Sequence, residues 1–296
     1  MTETDPAPRP SSGAAPGADR APGYRPRRTL PLRVEAVRQL RRRRTSVTFA
    51  VLLILPWLLV GAFKIHGASS PGDSPTVIQL GNAGGLNFAA FTLFVSASFL
   101  LVVAVALFCG DTVAGEAGWG SLGYLLAAPV PRTRLIRQKM IVSLAYAALS
   151  VVALPVMALL AGTLAFGWHG IRLPGGGGTL PTGTALERMA IIVAYALVTQ
   201  LVVAALAFLL SVTTDSPLGA VGGAVGLVIV STILDAVTAL GGWRDFLPTH
   251  WSFAWTDALQ PHLAWSGMVK GTALPAAYAI ILTAFAVRRF RAKDIV

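Results

Sequence analysis

The sequence predicts an all-α polytopic membrane protein with six transmembrane helices and both termini cytoplasmic. Three observations carry the prediction. Only 12% of the 296 residues are charged and 54% are hydrophobic, whereas a soluble domain carries about 25% charged residues. Apolar runs with few ionisable groups recur along the chain, each near the roughly 20 residues that a helix needs to cross the hydrocarbon. Lys and Arg gather on alternate connecting segments, which is the pattern that sets membrane orientation.

Residues 1–30 are rich in Pro, Ala, Gly, Ser and Arg with no apolar period, and read as a disordered cytoplasmic tail. A transmembrane domain over 31–296 follows. It opens with PLRVEAVRQLRRRR, residues 31–44, where Leu32, Ala36, Val37 and Leu40 recur at helical spacing among Arg33, Glu35, Arg38 and Gln39. That pattern predicts an amphipathic helix lying in the inner interface. The spans are expected at about 46–63, 86–110, 140–168, 189–212, 217–241 and 271–287. Pro56, Pro155 and Pro275 fall inside spans, where membrane helices tolerate them.

With the N-terminus inside, the inner segments hold the tail bases, Arg33, Arg38, Arg41, Arg42, Arg43 and Arg44, then Arg132, Arg134, Arg137 and Lys139, then Arg288, Arg289, Arg291 and Lys293. Only Lys64, Arg172, Arg188, Arg244 and Lys270 fall outside. The net charge of +11 therefore belongs to topology and to anchoring on anionic lipid, with Arg41 to Arg44, Arg132, Arg134 and Lys139 as the anchors. Nucleic-acid binding needs a folded basic surface with stacking aromatics, which this chain does not offer.

The stretch GEAGWGSLGYLLAAPVPRTRLIRQK, residues 115–139, separates the second and third spans. Its GWGSLG is no dinucleotide loop. It follows a membrane span and the acids Asp111 and Glu116 rather than a strand, and bases stand where the ribose-binding acid belongs. Trp119, Leu122, Leu125 and Leu126 recur every three or four residues, predicting an apolar stripe on a short helix that Pro129 and Pro131 end. A stripe facing the cytoplasm either packs on the protein's own helices or docks into another chain.

Here the sequence resembles the permease subunits of ABC-2 type transporters. The residues that carry the resemblance are Gly110-Asp111, Glu116 followed by Ser121, Leu125-Leu126, Pro129-Val130, Arg132 and Lys139. The amphipathic helix and the six-span layout match as well, so the resemblance covers about residues 31–296. One departure is that the family's Glu-x-Gly-Thr stands here as Glu116-Ala-Gly118-Trp-Gly-Ser121, with the hydroxyl two residues late. The resemblance implies a cytoplasmic coupling helix that contacts a separate ATP-binding subunit through Asp111, Glu116, Trp119, Ser121, Leu122 and Leu125. It also implies a paired second copy or related permease, a cytoplasmic-membrane location, export, and a pathway lined by the second and fifth spans. The chain carries no GxxxxGK[ST], so it is not expected to be an enzyme: ATP and Mg would be bound by the partner, and no cofactor is expected here.

Gly219, Gly222, Gly223 and Gly226 space small residues along the fifth span, a device for close helix packing or a dimer seam. Either use predicts a fifth span buried in protein. Asp235 and Lys270 lie at similar depth near the outer face, where they either form an outer-leaflet pair or each snorkel separately to water. Trp243, Trp251, Trp255 and Trp265 mark an outer loop that lies on or dips into the interface. Cys109, the one cysteine, reads as a small apolar residue. His66, His169, His250 and His262 lack ligand spacing, so no metal site is expected. An ion-gradient-driven secondary transporter is the alternative function. That reading calls for internal repeats and broken midplane helices, whereas the second span reads as uniformly apolar. A non-transporting membrane anchor or regulatory subunit is the third reading. The substrate is not legible.

Overall fold

The computed structural model describes residues 32–66, 77, 79–118 and 132–291. The expected tail lies outside them. Among the described residues there are eight α-helices: α1 Leu32–Leu40, α2 Arg43–His66, α3 Gly85–Ala97, α4 Leu100–Gly118, α5 Arg132–Phe166, α6 Thr182–Thr213, α7 Pro217–Ala236 and α8 Ser266–Arg291. Among the described residues there is no β-strand, only an isolated antiparallel bridge between Arg172 and Thr179. Six helices, α2 and α4 to α8, are long and apolar enough to cross a membrane. The architecture is that of a multi-pass α-helical membrane protein.

Most helices extend beyond their expected spans. The third starts at Arg132 and the fourth at Thr182, because a run of low hydropathy marks the end of the hydrocarbon and not the end of the hydrogen-bond ladder. The fifth is shorter than expected. It ends at Ala236, and the chain turns into a 3-10 segment, Thr238–Phe246, kinked at Gly241 with φ +52°, a backbone region that favours glycine. Pro56, Pro155 and Pro275 lie inside continuous helices.

The second span is the main correction. It is not one uniform helix: the ladder is interrupted between Ala97 and Leu100. No proline causes this. The Gln200 side chain of α6 donates to the carbonyl of Ala97 at 3.4 Å, supplying a partner to backbone freed at the interruption. Together α3 and α4 run the length of α5, with Gly85 against Thr163 at one end and Glu116 against Lys139 at the other.

α4 sits at the centre. In its most apolar window 78% of the residues are buried, against 17% in α2 and 22% in both α7 and α8. It packs on α5, α6 and α7. Gly110 permits the closest approach, since a Cβ there would lie 3.0 Å from the Val221 side chain and 3.3 Å from its backbone nitrogen. The Ser211 hydroxyl of α6 accepts from the Val113 and Ala114 amides at 3.0 and 2.9 Å. At the opposite end Phe63, Phe88, Phe91 and Phe166 form an edge-rich aromatic cluster, a preferred arrangement of ring quadrupoles. Asn87 there exchanges two 2.9 Å hydrogen bonds with the backbone of Arg172.

Candidate functional site

α1 is amphipathic, but its buried side is polar. Glu35 and Gln39, one turn apart, point into the protein, while Leu32, Val34, Val37 and Leu40 are exposed. Four residues return a helix to the same face, so the pair forms a single inward stripe. Gln39 Nε2 donates to the carbonyl of Phe108 in α4 at 3.3 Å, and the Tyr146 hydroxyl of α5 donates to the carbonyl of Ala36 at 2.8 Å. The apolar side faces away from the bundle, as a helix bedded in an acyl boundary requires.

Around that stripe the ends of four helices bring their charges together. Lys139, at the start of α5, is 1% exposed and lies 2.6 Å from Glu116 and 3.2 Å from Glu35. Arg38 reaches Glu116 at 3.0 Å, and Arg42 stands 3.7 Å from it. Asp111, one turn back along α4, takes Arg42 at 2.8 Å and Arg44 at 2.6 Å. Three carboxylates thus face four bases. Burying one ion pair costs several kcal/mol per ion, and mutual attraction offsets this only with good geometry and several partners. Here the carboxylates share bases, so each is compensated. Gly115 completes the arrangement, because a Cβ there would stand 2.7 Å from the Asp111 carboxylate.

This arrangement corrects two sequence expectations. Asp111 and Glu116 are not offered to another chain: both are buried, turned inward by the bases of α1 and α2. Lys139 does not anchor in lipid, since two glutamates enclose it. Arg42 and Arg44 also bind a carboxylate, whereas Arg41 and Arg43 are exposed and Arg134 is half-buried. Trp119, Ser121, Leu122 and Leu125, and the side chain of Arg132, lie outside the described residues. The cluster nevertheless embraces both helices that flank 119–131, α4 before it and α5 after it.

At the other end of the bundle, Asp235 does not pair with Lys270. His250 Nδ1 lies 2.5 Å from its carboxylate and Arg244 Nε 3.5 Å, while the Lys270 ammonium sits 5.4 Å from the centre of the Trp251 ring. Two residues from the 3-10 segment and turn that follow α7 fold back and outcompete one on a separate helix. The tryptophan-rich stretch divides. Trp243 and Trp265 are exposed, whereas Trp255 is buried against Phe94 at 6.1 Å between ring centres. Arg188, which the sequence reading left as an outer base, is buried and donates to the carbonyls of Ala258, Gln260 and Pro261. A lone arginine at the entry of an apolar helix was the available signal.

The fifth span is not buried within the single chain, where 22% of its most apolar window is buried. Gly222 and Gly226 have no atom within 4 Å of a Cβ position, Gly223 meets only the Leu210 side chain at 3.1 Å, and Gly219 faces its own N-cap residue Ser216. Among the described residues, Gly223 packs against α6 while Gly222 and Gly226 meet no neighbouring side chain.

A family model described as "Protein of unknown function (DUF2705)" matches residues 75–296. The match includes Asp111, Glu116 and Lys139, while Glu35, Arg38, Arg42 and Arg44 precede it. No curated protein matches the chain.

Proposed function

The chain belongs to the DUF2705 family of proteins of unknown function, and from its residues we propose that it is the transmembrane permease subunit of an ABC-2 type transporter. In this reading it resides in the cytoplasmic membrane and exports its substrate with ATP hydrolysed by a separate subunit. The observation that supports the reading best is the buried charge cluster, which ties the interfacial helix to both helices that bracket residues 119–131. A segment that receives force from a partner must be joined stiffly to the helices it moves. Buried, multiply paired charges give that stiffness, because separating them exposes uncompensated charge. The Lys and Arg bias puts this end in the cytoplasm, where the partner works. Displacement of 119–131 then moves α1, α4 and α5 together, and α4 carries it to α6 and α7 through Ser211 and Gly110. The open row at Gly222 and Gly226 suits a seam with a second copy.

The test is co-purification of the tagged chain with the ATP-binding protein encoded nearest to it, beside Trp119→Ala with Leu122→Ala. Retention by the wild type and loss in the double variant, with membrane insertion unchanged, is the expected result. If no ATP-binding chain is retained, the reading fails. The interruption at Ser98–Phe99 then favours a gradient-driven transporter, since discontinuous helices line the binding sites of such proteins. That alternative is checked by substrate movement in vesicles with an imposed ion gradient and no ATP.

A further inference from the structure

A groove runs along one face of α8 beside Leu201 of α6. Ala276, Ile280, Ala284 and Arg288 follow one another every four residues on that face, with Val287 and Arg291 beside them. The alanines withhold volume, so the face is recessed rather than filled. At the level of Ala279 and Thr283 it deepens into a crevice of about 130 Å³ that Met140, Leu144 and Phe208 also wall. The lining is apolar along most of the groove and ends at two arginines, Arg288 and Arg291. The next stripe of the helix, Ile281, Phe285 and Arg289, is exposed and does not line it.

Charge and length together say what covers this groove. Arg38, Arg42 and Arg44 are matched by carboxylates of the cluster, whereas Arg288 and Arg291 have no ion-pair partner among the described residues. They are exposed, one turn apart, at the end of an apolar trough. Such a trough calls for a ligand with an apolar body and an anionic end, and arginine suits a phosphate because its planar fork matches two oxygens. Arg291 lies 15 residues after Ala276 on a continuous helix, which is about 22 Å of rise. One leaflet of a bilayer, headgroup included, measures about 20–22 Å. A second copy of the chain fits poorly. Copies related by a two-fold axis along the membrane normal present the same depth to each other, so their arginines would meet with no acid between them.

We propose that the α8 groove is a binding site for one anionic phospholipid of the inner leaflet, with an acyl chain laid along Ala276 to Val287 and the phosphate held by Arg288 and Arg291. The Lys and Arg bias places this end of α8 in the cytoplasm, and basic pockets on that side are where anionic headgroups are held. The site does not rest on the transporter reading. It stands on the groove, its length and the two arginines that close it.

The experiment titrates the full chain, lipid-depleted in detergent, with dioleoyl phosphatidylglycerol or dioleoyl phosphatidylcholine and counts retained lipid by native mass spectrometry. The two lipids share their acyl chains and differ in net headgroup charge. Wild type is expected to retain one phosphatidylglycerol saturably, about 25-fold more tightly than phosphatidylcholine, at about fivefold for each arginine. Arg288→Gln and Arg291→Gln should each lower that preference about fivefold. Arg289→Gln removes the same charge from the neighbouring stripe and should leave the preference unchanged. Ala284→Trp fills the trough, keeps both arginines, and should lower retention of both lipids. Glycerophosphoglycerol, the headgroup without chains, should not displace the lipid at equal concentration. Equal retention of the two lipids by wild type overturns the proposal. So does an Arg289→Gln loss as large as the other two, which would mean a diffuse basic surface. Unchanged binding in Ala284→Trp, or displacement by glycerophosphoglycerol, would mean a phosphate site without a chain site and also overturns it. A dimer that retains no lipid and that Ala284→Trp dissociates would give the groove to a second copy instead. The substituted residues are exposed, and monodisperse elution of each variant establishes that it is folded. No ATP-binding subunit is present, so failure here leaves the partner reading standing, and failure of co-purification leaves the lipid site standing.

Discussion

Lys139→Met is the sharpest test of the charge cluster. The substitution keeps an unbranched side chain of similar length and removes the ammonium that lies 2.6 Å from Glu116 and 3.2 Å from Glu35. At an effective dielectric of about 20, the 2.6 Å contact alone has a gross attraction of about 6 kcal/mol, much of it offset by desolvation of the pair. What remains after truncation is an undercompensated buried carboxylate, for which removal of one partner costs about 3–5 kcal/mol. Arg38 at 3.0 Å and Arg42 at 3.7 Å still face Glu116, which places the expected loss at the lower end, about 3 kcal/mol. By size scaling that is a fall in apparent Tm of about 6–10 °C. The assay is thermal unfolding of the purified chain followed by fluorescence-detected size exclusion at one fixed heating time, since unfolding from detergent is governed by rate. Glu116→Gln and the double variant complete the cycle. If the cluster acts as one unit, the double variant should be less destabilised than the two single losses added, by about 1–3 kcal/mol. Simple additivity, or a Lys139→Met shift within 1–2 °C of wild type on the same scale, would refute the argument that buried charge holds α1 to α4 and α5.

Other residues give independent outcomes. Gly222→Leu and Gly226→Leu should leave the monomer's apparent Tm within about 2 °C of wild type, because nothing lies within 4 Å of either Cβ position. Gly110→Ile should lower it by several degrees, because Val221 is already at 3.0 Å. If the glycine row is the seam, the first two variants also weaken cross-linking between copies, and undiminished cross-linking would remove it from the interface. Arg188→Gln should speed amide exchange at residues 254–261, since three carbonyls lose their donor; unchanged exchange would show that other contacts hold that turn. Asp235→Asn should raise maleimide labelling of a Ser252→Cys reporter in segment 247–255, whereas Lys270→Gln should not, because Asp235 is held by His250 and Arg244 and not by Lys270. Equal effects of the two would restore the pairing the structure replaces.

The sequence made the helices legible, and their partners much less so. Hydropathy located six spans because burial in hydrocarbon and burial in protein write the same apolar run. For the same reason it did not distinguish α4, mostly buried in protein, from α2 and α7, mostly exposed. Lys139 beside an apolar run reads as a boundary base, and only tertiary structure decides whether it meets a headgroup or a glutamate. A signal was nonetheless present. Glu35 is an acid on a segment dense in bases, and Asp111 and Glu116 are acids at the end of an apolar span with no base nearby in sequence, so each calls for a counter-charge from another segment. Gln39, four residues after Glu35, completes a polar stripe on α1. The interruption at Ser98–Phe99 had no proline or glycine to announce it. Its support comes from Gln200, 103 positions away, and such a contact is not encoded in any local window.

The two ends of the bundle differ in how they are held together, and that difference is informative. At the charge-cluster end, α1, α4 and α5 are joined by buried ion pairs and α6 is bonded to the α4 backbone, so a push on one helix is transmitted to all. At the other end, segment 247–255 rests on α7 through two side-chain links, Ser231–Thr249 and Asp235–His250. Between the two ends lies the single place where the α3–α4 ladder is interrupted, and Gln200 bridges it with a long 3.4 Å bond. Long hydrogen bonds yield before short charge-assisted ones. In the transporter reading, motion begun at residues 119–131 would therefore leave the cluster intact and be absorbed at Ser98–Phe99. Gln200→Leu removes the bridge. It should therefore raise amide exchange at residues 98–103 while leaving exchange across residues 108–116 unchanged. Faster exchange in both stretches would mean that α4 yields as a whole and that no hinge separates the two ends.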